Sequence, residues 1–214
     1  MQMCFFASHP WSHVVIGTLL VPTFHVYVVL TLFQGMWHKY PNPHCSHVLS
    51  VDVIDRSVDP ATGVVRTERI LGCKQKAPTW ILKVCRQCCR ASSHFAETLQ
   101  IFGGSEDAFV REVSYIDPTT QNCTITSVNL SLSQFATCNE QIQYLPSPIQ
   151  PKTQTLFSQT AEIQARMTVW RSMSDKLESW LADRFAQNAQ KGKLGFTDVL
   201  RSLWDGQEQH AALH

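Results

Sequence analysis

The sequence predicts an α+β fold, an antiparallel sheet of about six to seven strands with one long C-terminal helix laid across one face. Three observations carry that expectation. Apolar and polar residues alternate with period two through most of residues 47–166, in runs parted by turns rich in Asp, Pro and Gly. From Ser174 the period changes to that of a helix and holds to Leu203. At 214 residues, 44% hydrophobic and 16% charged, the chain has the composition of a globular protein with a real core.

The first element is the least ordinary. Residues 14–33 carry no charge, with only Pro22 and His25 breaking an apolar run that is long enough to span a bilayer. Its Val and Thr content, its central His and the lack of Lys or Arg close on its N-terminal side weigh against a membrane helix. A membrane-anchored structural or tethering protein built on this run is the alternative to the reading developed below.

The strands follow in order. Leu49, Val51 and Val53 alternate with Ser50 and Asp52, which predicts a half-buried strand over 47–58. Asp59-Pro60-Ala61-Thr62-Gly63 is turn chemistry, and 64–71 returns as a second alternating run, so the two form a hairpin. The same grammar recurs as 109–116, a turn over 117–122, and 123–132. Further strands are expected over 137–144 and 153–166, parted by the Pro-rich loop 146–151. Ser174 is a candidate N-cap with Glu178 nearby, and Leu177, Trp180, Leu181, Phe185, Phe196, Val199, Leu200 and Leu203 mark the helix. A sheet that curved around this helix would leave a natural apolar cavity, although periodicity speaks only for the layers.

Charge and motifs restrict the function. With 18 basic and 17 acidic residues the net charge is +1, so no global field steers nucleic acid, and any anion site must be local. Eight cysteines, at 4, 45, 73, 85, 88, 89, 123 and 138, are too scattered for a disulfide scaffold and read as free thiols. Cys85, Cys88 and Cys89 supply one CxxC pair without a second, so no metal site is expected. No Walker loop, GxSxG, HExxH or GxGxxG is present, which leaves an enzyme or a cofactor nothing to stand on. Gly103-Gly104-Ser105 reads as a bare turn, and the sequons at Asn122 and Asn129 as ordinary strand and turn residues. Residues 1–8 lack both a basic region and an Arg-rich amphipathic pattern, so targeting is expected to lie elsewhere or to use a partner. Arg184, Asn188 and Lys191, at i, i+4 and i+7, form one stripe on the C-terminal helix; such a stripe would suit a phosphate, although periodicity alone favours a solvated basic face.

Several ordered motifs narrow this further: His9-Pro10-Trp11, Lys39-Tyr40-Pro41-Asn42-Pro43, VDVIDR, Arg69-Ile70-Leu71, Pro78-Thr79-Trp80, FVREVSYIDP and LESWLADRFAQNAQKGKLGF. Together they resemble the PRELI/MSF1 family of mitochondrial lipid-transfer proteins. VREVS, TLFSQTAEI and RFAQNAQKGKLGF look closest to its slowmo-like fungal branch, associated with phosphatidylserine transfer.

The resemblance implies a single domain in which a curved sheet and the long helix enclose a lipid pocket. It implies non-enzymatic carriage of one phospholipid at a time between the outer and inner mitochondrial membranes, in the intermembrane space. Lys39, Arg184, Asn188 and Lys191 fall where the family puts polar contacts to lipid phosphate, and Pro78, Trp80 and Ile81 fall in its mobile lid, which touches the membrane surface transiently. It also implies a small helical intermembrane-space partner with a twin-cysteine motif. Against the family pattern the chain carries two interruptions, at about 18–35 and 84–100, which read as insertions; removing the first gives HPWSHVVIGMWHKYPNP, and in-frame retained introns would produce both.

Overall fold

The two hairpin turns show how local sequence builds this sheet. Asp59 accepts hydrogen bonds from the Ala61 amide at 2.9 Å and the Thr62 hydroxyl at 2.7 Å. Asp117 repeats this with the Thr119 amide at 2.8 Å and the Thr120 hydroxyl at 2.7 Å. Each Asp-Pro-x-Thr sequence thus folds on its own aspartate. Gly63, at φ +73°, and Gln121, at φ 58°, take the left-handed conformation that closes each turn.

The computed structural model describes residues 12–22, 28–74, 107–133, 136–151, 154–166 and 171–211. The strands are β1 (Ser12–Pro22), β2 (Val48–Val58), β3 (Val65–Lys74), β4 (Asp107–Asp117), β5 (Asn122–Asn129), β6 (Ala136–Pro146) and β7 (Gln154–Ala165). Among the described residues there are also two helices, α1 (Val28–Trp37) and the 41-residue α2 (Arg171–Ala211), and a 3-10 turn at Pro43–Cys45. All seven strands join one curved antiparallel sheet in the order β1-β7-β6-β5-β4-β3-β2. β2 to β7 are a simple meander, and β1 adds to its far edge. The α+β fold expected from the period change is therefore present.

α2 packs against α1, the 3-10 turn, β7 and β1. A buried apolar cluster holds one end of this arrangement, where Phe33 and Met36 of α1 meet Ile116, Cys123, Ile125, Ile142 and Tyr144 of the sheet and Phe196 of α2. Gly35 lets the two helices approach, since a Cβ there would stand 2.8 Å from Leu200 Cδ2.

Two segments left open by the sequence take structure over their described residues, and two expectations are corrected. The uncharged run 14–33 is not a membrane helix: it is divided between β1, whose backbone pairs with β7, and the ten-residue α1. Pro22, which cannot donate to a ladder, ends β1. Among the described residues no helix is long and apolar enough to cross a membrane. The segment 18–35, set apart above as an interruption, supplies part of β1 and most of α1, and Phe33 is 8% exposed. Ser174 is not the N-cap, because α2 begins at Arg171; Glu178 instead accepts a hydrogen bond from the Ala165 amide at 2.9 Å, tying β7 to the helix. Finally, β2 is a sheet edge, and its Leu49 and Val53 are more than half exposed where alternation predicted partial burial.

Candidate functional site

A cavity of about 230 Å³ lies between α2 and the concave face of the sheet. Leu71, Val110, Ile142 and Phe157 line it from the sheet, and Phe185, Phe196 and Leu200 from the helix. The Tyr144 ring sits 5.2 Å from Phe157 and 5.6 Å from Phe196, centroid to centroid, in tilted contacts. Residues of α2 that line the cavity form two adjacent rows at i+4 spacing, Arg184, Asn188, Gly192, Phe196 and Leu200 beside Phe185, Ala189, Lys193 and Thr197. The helix thus crosses the cavity along two neighbouring i+4 ridges.

The Tyr40-Pro41-Asn42-Pro43 loop is a clasp on this helix. Asn42, buried, donates from Nδ2 to the Gly195 carbonyl at 3.0 Å, while its Oδ1 accepts from the His44 amide at 2.9 Å. The His44 ring meets Asp198 at 2.8 Å. Gly195 is required by closeness, because a Cβ there would stand 2.6 Å from Asn42 Oδ1. The clasp holds Lys39 in the cavity wall, its amine near Gly192. Burial there opposes the charge on Lys39, but the fields of Tyr40, Tyr144, Glu112 and Glu140 together outweigh it and hold the amine protonated, above its ordinary range.

Across the floor runs a polar row that follows a single ladder: Arg69 pairs with Glu112, Glu112 with Ser127, and Ser127 with Glu140. Arg69 Nε donates to Glu112 at 2.7 Å with both side chains largely buried. Glu140 receives the Ser127 hydroxyl at 2.5 Å on one oxygen and the Gln159 amide at 2.6 Å on the other. Glu112, Ser127, Glu140 and Gln159 all line the cavity. Sequence reasoning missed this row. Its signal was phase: Glu112 keeps step with Val110 and Ile116, and Glu140 with Ile142 and Tyr144, so both charges point where apolar neighbours point.

The four residues expected to meet phosphate divide unequally. Lys39, Arg184 and Asn188 line the cavity together. Arg184 Nε is buried without a hydrogen-bond partner, and its guanidinium lies 5.9 Å from the Trp180 ring centroid. Lys191 is exposed and does not line the cavity, whereas Lys193 does, from the Phe185 row. Lys191 still contributes to the local field: burial first, then Lys191, Arg184 and Lys39, lower the pKa of His47 beside them. Pro78, Trp80 and Ile81 of the expected lid, the Cys85, Cys88 and Cys89 group and the segment 84–100 lie outside the described residues.

Burial pushes the thiols of Cys123 and Cys138 up to about 12 and that of Cys73 up to about 11, so at neutral pH they stay protonated and are poor nucleophiles. Among the described residues no group of three His, Cys, Asp or Glu side chains is gathered to hold a metal.

Sheet, helix and enclosed polar floor define a helix-on-sheet cavity protein. Comparison with known proteins then places the chain: it belongs to the PRELI-like family, which matches residues 31–206. It is 34% identical over 174 residues to Protein UPS2, mitochondrial, of Saccharomyces cerevisiae, covering 81% of this chain and 68% of that one. The UPS-like protein C36.10 of Schizosaccharomyces pombe is 35% identical over 167 residues, 78% of this chain and 79% of the relative. The Protein slowmo homolog of Dictyostelium discoideum is 26% identical over 176 residues, 82% of this chain and 68% of the relative.

Proposed function

We propose that this protein is a non-enzymatic phospholipid-transfer protein that encloses one phospholipid between the sheet and α2. The observation that carries the reading is the buried, unpartnered Nε of Arg184 on the same cavity as Lys39. A phosphate oxygen would supply the missing acceptor in a charge-assisted bond, with Asn188 beside it. The acyl chains would lie on the apolar walls, where burial stabilises by about 0.8 kcal/mol per methylene. In this scheme Lys191 acts from the surface, adding attraction for an anionic head group or membrane, and Pro78, Trp80 and Ile81 gate the cavity and touch the bilayer.

The finer reading is that the cargo is phosphatidylserine and the route runs between the outer and inner mitochondrial membranes. The yeast relative's name places that relative in mitochondria, and the motifs that suggested the slowmo-like branch support the cargo. Within this scheme the protein works in the intermembrane space with a small twin-cysteine-motif protein. The test is transfer of a fluorescent phosphatidylserine between donor and acceptor vesicles. Wild-type protein is expected to transfer, and Arg184→Met to slow transfer by roughly tenfold, the worth of one charge-assisted bond. Equal rates in a folded Arg184→Met variant would overturn the phosphate assignment.

A further inference from the structure

The cavity wall holds charges of both signs, and not all of them are paired with one another. Arg69 and Glu112 form an ion pair, which accounts for one cation and one carboxylate. Glu140 is different. Each of its oxygens is held by one neutral donor, Ser127 or Gln159, and it makes no ion pair among the described residues. Lys39 likewise makes no ion pair among the described residues, although the fields of Glu112 and Glu140 reach it. A carboxylate on the floor of a cavity repels a purely anionic guest, and an uncompensated one in a partly buried site is costly. Its fixed hydrogen bonds orient it and leave lone pairs on both oxygens free to accept. Such a group fits a cation supplied by the guest.

We propose that Glu140 is a specificity-determining residue that accepts the primary ammonium of the ligand's head group, while the Lys39 and Arg184 end takes its phosphate. This rests on the phospholipid reading above and deepens it by naming the residue that would read the cation of the head group. Glu140 and Lys39 line the same cavity without an ion pair between them, so a zwitterionic head group could offer a counter-charge to each.

The test is competition for the cavity. Protein is incubated with vesicles containing equal amounts of phosphatidylserine and phosphatidylglycerol with the same acyl chains, re-isolated, and its bound lipid quantified by mass spectrometry. Phosphatidylglycerol keeps the phosphate and replaces the ammonium-bearing group with a neutral glycerol. Wild-type protein is expected to favour phosphatidylserine, and Glu140→Gln to lower the serine-to-glycerol ratio by about tenfold, the worth of a hydrogen bond to a charged group. Glu140→Asp, which keeps the charge, is expected to retain the preference; a purely structural role would lower capture of both lipids in both variants. An unchanged ratio in Glu140→Gln, equal capture of the two lipids by wild type, or matching losses of both lipids overturns the proposal while leaving phospholipid binding intact. Wild-type protein that captures neither lipid overturns the phospholipid reading and this assignment with it.

Discussion

Two glycines three residues apart on α2 respond oppositely to alanine. In a helix interior Gly→Ala is favourable by about 1 kcal/mol, through reduced backbone freedom in the unfolded chain. At Gly192 a new Cβ would sit 3.8 Å from Lys39 Nζ, an ordinary contact, so Gly192→Ala is expected to gain most of that amount. At Gly195 the Cβ would stand 2.6 Å from Asn42 Oδ1 and 2.8 Å from its Cγ and Nδ2. The buried amide must then move, which breaks the 3.0 Å bond to the Gly195 carbonyl and strains the one from the His44 amide. Leaving such groups unmet costs about 1–3 kcal/mol, in addition to the steric shift. The net loss for Gly195→Ala is about 1–2 kcal/mol, and thermal melts followed by circular dichroism should show a Tm lower by roughly 2–8 °C, against a small rise for Gly192→Ala. In an Asn42→Ala background the collision is gone, and Gly195→Ala should turn neutral or stabilising. Equal stabilisation by both alanines in the wild-type background would refute the clasp.

Further outcomes follow from the same geometry. Lys39→Gln removes the buried cation and is expected to slow vesicle-to-vesicle transfer by roughly tenfold, whereas Lys191→Glu, at an exposed position, should slow it only a fewfold and less at high salt; the order of the two effects is the check. His47 has its folded pKa lowered by burial and by Lys191, Arg184 and Lys39, so the unfolded state binds its proton more readily. The stability it supports is full above its ordinary value of about 6.5 and falls as pH drops through that value toward the folded one. Melts between pH 7.5 and 5.5 should therefore show a steeper fall for wild type than for His47→Asn. Burial of the Cys45, Cys123 and Cys138 thiols should make them slow to alkylate in native protein and fast in urea, as peptide mapping after iodoacetamide would show.

The hairpins were legible in the sequence because their information is local. Alternation marks each strand, and Asp59 and Asp117 fold their own turns. β1 and α1 were not legible, because residues 14–33 are apolar throughout and give neither period a contrast to read. Pro22, where β1 ends, was the one local clue. The stripe expected to meet phosphate runs at i, i+4 and i+7, the geometry of a straight helix face. α2 instead crosses the cavity along two adjacent i+4 ridges: one keeps Arg184 and Asn188 and puts Gly192 in place of Lys191, and the other brings in Lys193. The carboxylate floor depends on register between four strands, from Arg69 to Glu140, and no single segment encodes that. The KYPNP motif was recognised as a marker, whereas its physical role, fastening Lys39 to α2 through Asn42 and Gly195, emerged only from the packing.

The most direct test of the central claim, that the cavity between sheet and α2 holds a single phospholipid by its phosphate, is native mass spectrometry of protein re-isolated from phosphatidylserine vesicles. The account predicts one lipid mass per chain in the wild-type protein, and its loss in a folded Arg184→Met and Lys39→Gln double variant. No added lipid mass on the wild-type chain, or equal occupancy in that variant, would contradict it.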